Sequence, residues 1–365
     1  MKPSEIVEDN FKPLFYLCLC TLISLYSMKP IQLTAISQML GTVSSMKLVW
    51  LGLVLLAASQ GHLLFGSMGY NPRDGLLDPE VLDPSGAVTC SPPPPHPRPT
   101  ILATGYSSLG GAMFCGGTAQ EEEGSQAVAD CFYFVNNTWV EQRRMGSARL
   151  GAASAYFSSG GWWVFGGMSA LEEGKVLNTT EMLFVEDEVW TPSSPLPLPL
   201  VGHCTLAWGA RKVFVTGGFT SLTELNTRTF LMDLYSGAVE EVGPLTRARG
   251  FQQCARLEDG SVLVAGGITN FSSKTLDSVE IYDPKSRTWR DGAPLPQAVG
   301  QGALVSMSGF SGPLLAGGRE DDGEGSTGLW LYHHGGWLEM GARLNRPRIG
   351  GVFLDLPESH FNCTV

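Results

Sequence analysis

The sequence predicts an all-β protein in which small, similar sheets follow one another and close into a ring. Two observations carry this prediction: a pair of adjacent glycines returns about every fifty residues, and a tryptophan returns in the same phase. A third is the scarcity of helix-period segments in a chain with 45 glycines among 365 residues. Many short strands joined by tight turns fit that composition.

The clearest copy of the repeat, residues 262–289, predicts three short strands. An apolar run stops at a glycine pair, a second run ends at Tyr282-Asp283-Pro284, and Trp289 opens the next strand. Two adjacent glycines after a buried strand indicate backbone where no side chain fits, or where φ is positive.

The repeat is internal and regular. Double glycines close an apolar run five times, and their first members are 50, 51, 49 and 51 residues apart. The pairs are Gly116-Gly117, Gly166-Gly167, Gly217-Gly218, Gly266-Gly267 and Gly317-Gly318. A tryptophan follows four of them by 19 to 23 residues, and the remaining copy has Val239 in that place. These are Trp139, Trp190, Trp289 and Trp337. We expect them to pack between neighbouring sheets.

The order Gly-Gly, Tyr-Asp, Trp at this period resembles the kelch repeat over about the last three hundred residues. The resemblance implies a β-propeller in which each blade is a four-stranded antiparallel sheet, and the number of periods makes it a six-bladed kelch-type propeller. It is informative about fold and says little about function.

Residues 60–365 hold close to six periods, and we assign the sixth blade to both ends of this stretch. Residues 63–66 lie one period before Gly116 and predict its second strand, residues 81–84 predict its third, and residues 349–354 supply its first. Pairing of the two ends would leave the ring without an open edge. The predicted blades are 60–98 with 345–365, then 99–147, 148–197, 198–246, 247–297 and 298–344.

Residues 1–59 lie outside the repeat and predict an N-terminal extension with a signal peptide. A lysine after Met46, about eleven apolar residues and the small residues before Gln60 follow the order of a signal peptide, with the signal proper at 46–59. The upstream apolar run, 14–26, is shorter than a membrane helix needs. We expect no stable membrane span in the mature chain, with anchoring through that run as the alternative.

Potential glycosylation sites agree with export to the secretory lumen or the extracellular space. Four N-x-Ser/Thr sequons follow the predicted signal peptide, and such sites require surface positions. The asparagines are Asn136, Asn178, Asn270 and Asn362.

Six cysteines follow the signal peptide, an even number that permits disulfides. Cys115 and Cys131 fall on neighbouring strands of one predicted blade, and Cys90 and Cys363 both fall in the split blade. These two pairs are the candidate disulfides. Cys204 and Cys254 lie on the first strands of neighbouring blades, where free thiols explain them as well as a bond does.

Composition and motifs argue against nucleic-acid binding and against catalysis. The net charge of −11 lacks the basic patch that nucleic acid requires, and we interpret the acidic clusters as solvated loop tips. No catalytic or metal-binding motif is found, so no catalytic residue, metal or cofactor is predicted. Copper-radical oxidases resemble kelch propellers, and His333-His334 is the pair that would suggest such an enzyme; a surface turn is the favoured interpretation.

Arginines recur just before the predicted first strands: Arg98, Arg149, Arg249 and Arg348. In kelch substrate adapters, arginines at this place line the mouth where acidic peptides bind, so the resemblance implies a ring of guanidiniums that contacts a partner. The structural alternative is that each arginine pairs with an acidic residue of a neighbouring blade.

The favoured function is a secreted, non-enzymatic module that binds a protein partner, of unknown identity and with acidic character as one option, through one loop face. The alternatives are the oxidase and an intracellular scaffold. No helical dimerisation or ligase-docking domain is expected ahead of the propeller, and the sequence does not predict the oligomeric state.

Overall fold

The computed structural model describes residues 61–108, 110–119, 126–171, 174–184, 187–270 and 275–364. The predicted extension and signal peptide, residues 1–59, lie outside them. In chain order the first strands are β1 (His62–Ser67), β2 (Tyr70–Asn71), β3 (Gly75–Leu76), β4 (Glu80–Leu82), β5 (Thr89–Cys90), β6 (Thr104–Ser108), β7 (Gly111–Cys115), β8 (Cys131–Val135), β9 (Thr138–Gln142), β10 (Ala153–Phe157), β11 (Gly161–Phe165), β12 (Thr180–Phe184) and β13 (Thr191–Ser193). The others are β14 (Cys204–Trp208), β15 (Lys212–Thr216), β16 (Thr229–Asp233), β17 (Val239–Val242), β18 (Gln253–Arg256), β19 (Val262–Ala265), β20 (Val279–Asp283), β21 (Thr288–Asp291), β22 (Ala303–Ser306), β23 (Pro313–Ala316), β24 (Leu329–His333), β25 (Gly336–Glu339), β26 (Val352–Pro357) and β27 (Cys363–Thr364), with one 3-10 turn at Glu358–His360.

These strands form a six-bladed β-propeller of antiparallel sheets, as predicted. Blade 1 is the split blade, β26-β1-β4, which takes its first strand from the end of the chain. Blades 2 to 6 are the four-stranded sheets β6–β9, β10–β13, β14–β17, β18–β21 and β22–β25. We call the side where first strands begin and second strands end the upper face, and the opposite side the lower face.

The core lies between the blades. Every residue of the second strands β7, β11, β19 and β23 is buried, whereas the outer strands β9, β17 and β25 are largely exposed. A sheet covered on both faces needs apolar residues on both, which explains why these second strands are continuous apolar runs rather than alternating ones. Each blade therefore depends on its two neighbours for burial.

Blade 1 closes the ring. β1 pairs along its whole length with β26, and Phe65 of β1 stacks on Phe134 of blade 2 with ring centroids 4.5 Å apart. The bend that follows β1 falls at Met68-Gly69, beyond the predicted end of this strand at residue 66, because pairing with β26 continues to Ser67. Met68 adopts φ of 61°, the conformation that a glycine has in the other five blades.

All six cysteines of the described residues are paired. Cys90–Cys363 joins the two ends of the chain, and Cys115–Cys131 links two strands of blade 2, as predicted. Cys204–Cys254 is also a disulfide and connects the first strands of blades 4 and 5. Their Cα atoms are 6.1 Å apart, because first strands surround the axis and approach one another more closely than outer strands do.

The repeated tryptophans join neighbouring blades. Each indole Nε1 donates to a backbone carbonyl of the preceding blade or of the segment that leaves it, at 2.7 to 3.0 Å. The donor–acceptor pairs are Trp139–Pro94, Trp190–Arg143, Trp289–Gly243 and Trp337–Ala293. Blade 4 has Val239 instead, and there Trp163 of blade 3 packs with the core residues of blade 4. Pro94 lies in the proline-rich segment 92–99 that leads into blade 2, and the bond from Trp139 holds this segment against the blade.

Candidate partner-binding site on the upper face

A backbone hydrogen bond crosses every boundary between blades at the glycine pairs. The second residue of each pair, or Gly69 of Met68-Gly69 in blade 1, donates its N–H to the carbonyl of the residue four positions before the first strand of the next blade, at 2.7 to 2.9 Å. The six donor–acceptor pairs are Gly69–Thr100, Gly117–Arg149, Gly167–Leu200, Gly218–Arg249, Gly267–Val299 and Gly318–Arg348. At Gly266 an added Cβ would lie 2.1 Å from the carbonyl oxygen of Val299, so the next blade leaves no room for a side chain.

A second set of hydrogen bonds forms a closed ring around the propeller axis. Six residues with positive φ, one from each blade, donate their N–H to the equivalent carbonyl of the preceding blade at 2.6 to 3.0 Å. They are Leu102, Gly151, Gly202, Phe251, Gln301 and Gly350, and we call them the axial ring. The axial ring fixes the blades to one another near the upper face and is the common wall of two cavities.

The larger cavity, of about 310 Å³, lies above the axial ring. Its lining includes Arg319 of blade 6, Tyr70 of blade 1 and Gln301 of the axial ring, with Ile101 and Ile349 as apolar walls. Arg319 is the charged residue among the lining side chains. We call this space the upper cavity.

The upper cavity lies to one side of the axis because the residues above the axial ring differ in size from blade to blade. One residue of each blade pairs there by an isolated bridge with the segment leading into a first strand; the six are Tyr70, Thr118, Met168, Phe219, Ile268 and Arg319. Met168, Phe219 and Ile268 join Leu150 and Val201 in a buried apolar cluster that fills the side of blades 3 to 5. On the other side, the bridge partner of Arg319 is Gly300, which has no side chain to fill the space.

Arg319 is half-buried and has no ion pair or side-chain hydrogen bond with any residue that the structure describes. The acidic residues that follow it have other partners. Glu324 pairs with Arg73 at 3.4 Å, and Asp321 accepts the N–H and hydroxyl of Thr275 at 2.8 and 2.6 Å. Glu320 accepts from Gln297. A guanidinium left without a carboxylate beside a cavity is a binding group for an anion.

Three of the four arginines predicted for partner contact are buried inside their own blades. Arg149, Arg249 and Arg348 are 1%, 0% and 2% exposed, and each pairs with a carboxylate on the third strand of the same blade. The carboxylates belong to Glu181, Glu280 and Glu80. The pairs thus lie within blades rather than between them, and contact of these residues with a partner stays a prediction.

Each of these carboxylates also holds the segment that leads into its blade. Glu280 accepts the backbone N–H of Thr246 at 2.7 Å and of Arg247 at 3.2 Å, while Arg249 donates to the carbonyls of Gly266 and Ser278 at 2.8 Å. Burial lowers the pKa of Arg249, and the charge of Glu280 opposes that effect. The arrangement leaves few polar groups unsatisfied, which a buried ion pair requires.

Arg98 differs from the other three. It is half-exposed and pairs, together with Arg144, with the buried carboxylate of Asp130. By strand register Thr100, two residues later, occupies the place of Arg149, and its hydroxyl donates to the carbonyl of Gly116 at 2.9 Å. Arg98 therefore binds blade 2 by a different contact, and its use by a partner likewise stays a prediction.

The remaining residues singled out in the sequence lie on the surface or in the core. The four sequon asparagines, Asn136, Asn178, Asn270 and Asn362, are exposed. His333-His334 lies at the turn between β24 and β25, where His333 contacts the hydroxyl of Ser311. His203 follows the axial ring and is buried, and burial lowers its pKa to about 3. Within the described ranges no three His, Cys, Asp or Glu side chains are grouped closely enough to hold a metal ion.

Sequence comparison finds kelch proteins. A family model described as "Kelch motif" matches residues 259–296. The chain is 28% identical over 149 residues to "Kelch repeat and BTB domain-containing protein 12" of Danio rerio, an alignment covering 37% of this chain and 24% of that protein. It is 24% identical over 181 residues to "Kelch-like protein 40" of Xenopus tropicalis, covering 48% and 29% respectively. The chain thus spans about a quarter of the length of these relatives.

Structural comparison agrees with this fold. A solved structure described as "Structure of YjhT" superposes with a TM-score of 0.58 at 14% identity, over 69% of this chain and 87% of that one. At this identity the likeness concerns the fold alone. Together with the glycine-pair repeat and the closed ring of six blades, the Kelch motif at residues 259–296 and the kelch relatives make this chain similar to the kelch-repeat β-propellers.

Proposed function

We propose that this chain is a non-enzymatic module of the secretory lumen or extracellular space that binds a protein partner through the upper face. The observation that carries the proposal is the upper cavity, where Arg319 has no counter-ion among the described residues beside the half-buried Tyr70 and Gln301. Concave sites with a few convergent polar groups and apolar walls are the usual form of a binding site. The similarity of this chain to kelch proteins favours a protein over a small molecule as the ligand.

Three disulfides and exposed sequons support export. Disulfides persist in oxidising compartments and are rare in the cytosol, so the pairing of the six described cysteines favours the secretory pathway over an intracellular scaffold. Asn136, Asn178, Asn270 and Asn362 are all accessible to glycosylation. No described helix is long and apolar enough to cross a membrane.

Binding of a partner at the upper face can be tested with a variant that blocks the mouth of the upper cavity. Pro72 is exposed at the upper cavity, so Pro72→Trp should block the cavity mouth while leaving Arg319 in place. Affinity purification from the secreted fraction should recover a partner with the wild-type protein and lose it with Pro72→Trp. Lys285→Trp, at an exposed turn of the lower face, is the matched control and should retain the partner. Equal recovery with both variants would overturn the proposed face.

Export and the enzymatic alternative have their own measurements. Glycosidase treatment of the secreted protein should increase its gel mobility, and each of the four Asn→Gln changes should remove one step of that shift. An oxidase would require stoichiometric copper in the purified protein together with a radical signal, and that result would replace the binding function.

A further inference from the structure

We propose that the upper cavity recognises the C-terminal residue of its protein partner, a single free α-carboxylate attached to an apolar side chain. This inference rests on the proposed function and specifies the chemistry of the same site. A terminal apolar residue presents one anion and one apolar group at a single point, and capture of a terminal carboxylate is an established mode of peptide recognition.

The composition of the upper cavity matches such a residue. Arg319 supplies one guanidinium, and Tyr70 and Gln301 add a hydroxyl and a carboxamide that have no side-chain hydrogen bond to other described residues. Ile101, Leu102 and Ile349 supply apolar wall. A carboxylate accepts two hydrogen bonds from one guanidinium, while the apolar walls gain from covering an aliphatic or aromatic side chain.

The size and floor of the cavity favour a chain end over a segment that passes through. At about 310 Å³ it is at the lower limit of small-ligand pockets. The axial ring closes it below, since Leu102, Gln301 and Gly350 belong to both the ring and the lining. A peptide that enters must therefore end there or turn back.

Charge around the cavity disfavours a run of acidic residues. Glu320, Asp321, Asp322 and Glu324 follow Arg319 directly in the chain, and Gly323 of that segment lines the cavity. Several like charges would meet repulsion from this segment, whereas one carboxylate placed on Arg319 meets an unpaired cation. Of the partners that the sequence allowed, the charges around the cavity therefore favour one with a single well-placed carboxylate over one with a run of acidic residues.

Minimal probes isolate this chemistry. N-acetyl-leucine and N-acetyl-phenylalanine carry the acid and the apolar group, N-acetyl-leucinamide lacks the acid, and acetyl-triglutamate amide carries acids without an apolar terminus. Binding is followed by the NMR signals of the Arg319 Nε–H and the Tyr70 ring. We expect saturable shifts with the two acids and about tenfold or more weaker binding of the amide and of the triglutamate.

Variants assign the effect to Arg319. Arg319→Gln should remove the preference for acid over amide, and Arg256→Gln, an exposed arginine at the lower end of β18, should keep it. Equal binding of acid and amide, stronger binding of the triglutamate, or no saturable shift with either acid would overturn the proposal.

Failure here is separable from failure of the proposed function. If Pro72→Trp abolishes partner recovery while Arg319→Gln and an excess of N-acetyl-leucine leave it intact, the upper face binds the partner and the carboxylate does not guide it. If Pro72→Trp also has no effect, the proposed face is wrong.

Discussion

The guanidinium of Arg249 and the carboxylate of Glu280 form an ion pair 2.8 Å long in which neither side chain is exposed to solvent. The same pair recurs in every second blade, as Arg348–Glu80 in blade 1 and Arg149–Glu181 in blade 3. By strand register the alternate blades hold uncharged residues in these two places. They are Thr100 and Phe132 in blade 2, Leu200 and Phe230 in blade 4, and Val299 and Trp330 in blade 6. The six-bladed ring thus repeats its buried chemistry every two blades.

Removal of one partner from such a pair should cost far more than exchange of both. Arg249→Leu leaves the carboxylate of Glu280 buried without its cation, and we expect the free energy of unfolding to fall by about 3–5 kcal/mol. Arg249→Leu with Glu280→Phe reproduces the blade 4 residues and should recover most of that loss, because an apolar pair of suitable shape can replace a buried ion pair. Urea unfolding of the variants measures both effects.

Arg211→Leu is the matched control, since Arg211 is 60% exposed where it pairs with Asp233. Its loss should stay below about 1 kcal/mol, as for other exposed pairs. A double variant as unstable as Arg249→Leu alone would show that these positions require charge.

The disulfide Cys90–Cys363, which joins the two ends of the propeller, should contribute more to the free energy of unfolding than the disulfide within blade 2. Cys90–Cys363 spans 273 residues and Cys115–Cys131 spans 16. In the chain-entropy description the longer loop restricts the unfolded chain more, so Cys90→Ser with Cys363→Ser should destabilise by about 2–3 kcal/mol more than Cys115→Ser with Cys131→Ser. Thermal unfolding of the two double variants under oxidising conditions compares them, and an equal loss would contradict the entropic account.

The ring of six blades and its closure could be predicted because they depend on local spacing. Glycine pairs are required wherever the next blade touches the backbone, and Gly266 illustrates this with a carbonyl where a Cβ would be. The pairing of the two ends followed from Val81 and Leu82, which align with Ile281 and Tyr282 in blade 5. Met68-Gly69 escaped prediction because a methionine occupies the place where the other blades have glycine.

The site could be predicted only in part, because it depends on which charges find partners in three dimensions. Arg149 and Arg249 would stand at the same distance before their first strands whether they form buried ion pairs or contact a partner at the surface, so their spacing does not distinguish the two roles. Their partners Glu181 and Glu280 lie 32 and 31 residues later, on third strands, and no local sequence pattern predicts these pairs. Arg319 directly follows a glycine pair, which is a signal for the upper face. Its lack of a counter-ion among the described residues depends on the partners that Asp321 and Glu324 have instead, and these are not visible in the sequence.

Acid should destabilise the propeller through buried histidines. His96 is 4% exposed and packs edge-on against Trp139 at 4.3 Å, and its Nδ1 accepts the N–H of Arg98 at 3.1 Å. Burial lowers its pKa to about 4. The unfolded chain binds the proton below the ordinary value of 6.5, whereas the folded chain does so only below about 4.

Stability should therefore be constant above pH 6.5 and fall as the pH drops towards 4, by about 1.4 kcal/mol per pH unit for His96. His203, with its pKa lowered to about 3, should add a similar slope. His96→Asn keeps an acceptor for Arg98 and should remove the His96 share in urea unfolding measured at pH values between 7 and 4. His334→Asn, at an exposed turn, should leave the slope unchanged. If His96→Asn and the wild type lose stability in parallel, acid sensitivity has its origin in the carboxylates instead.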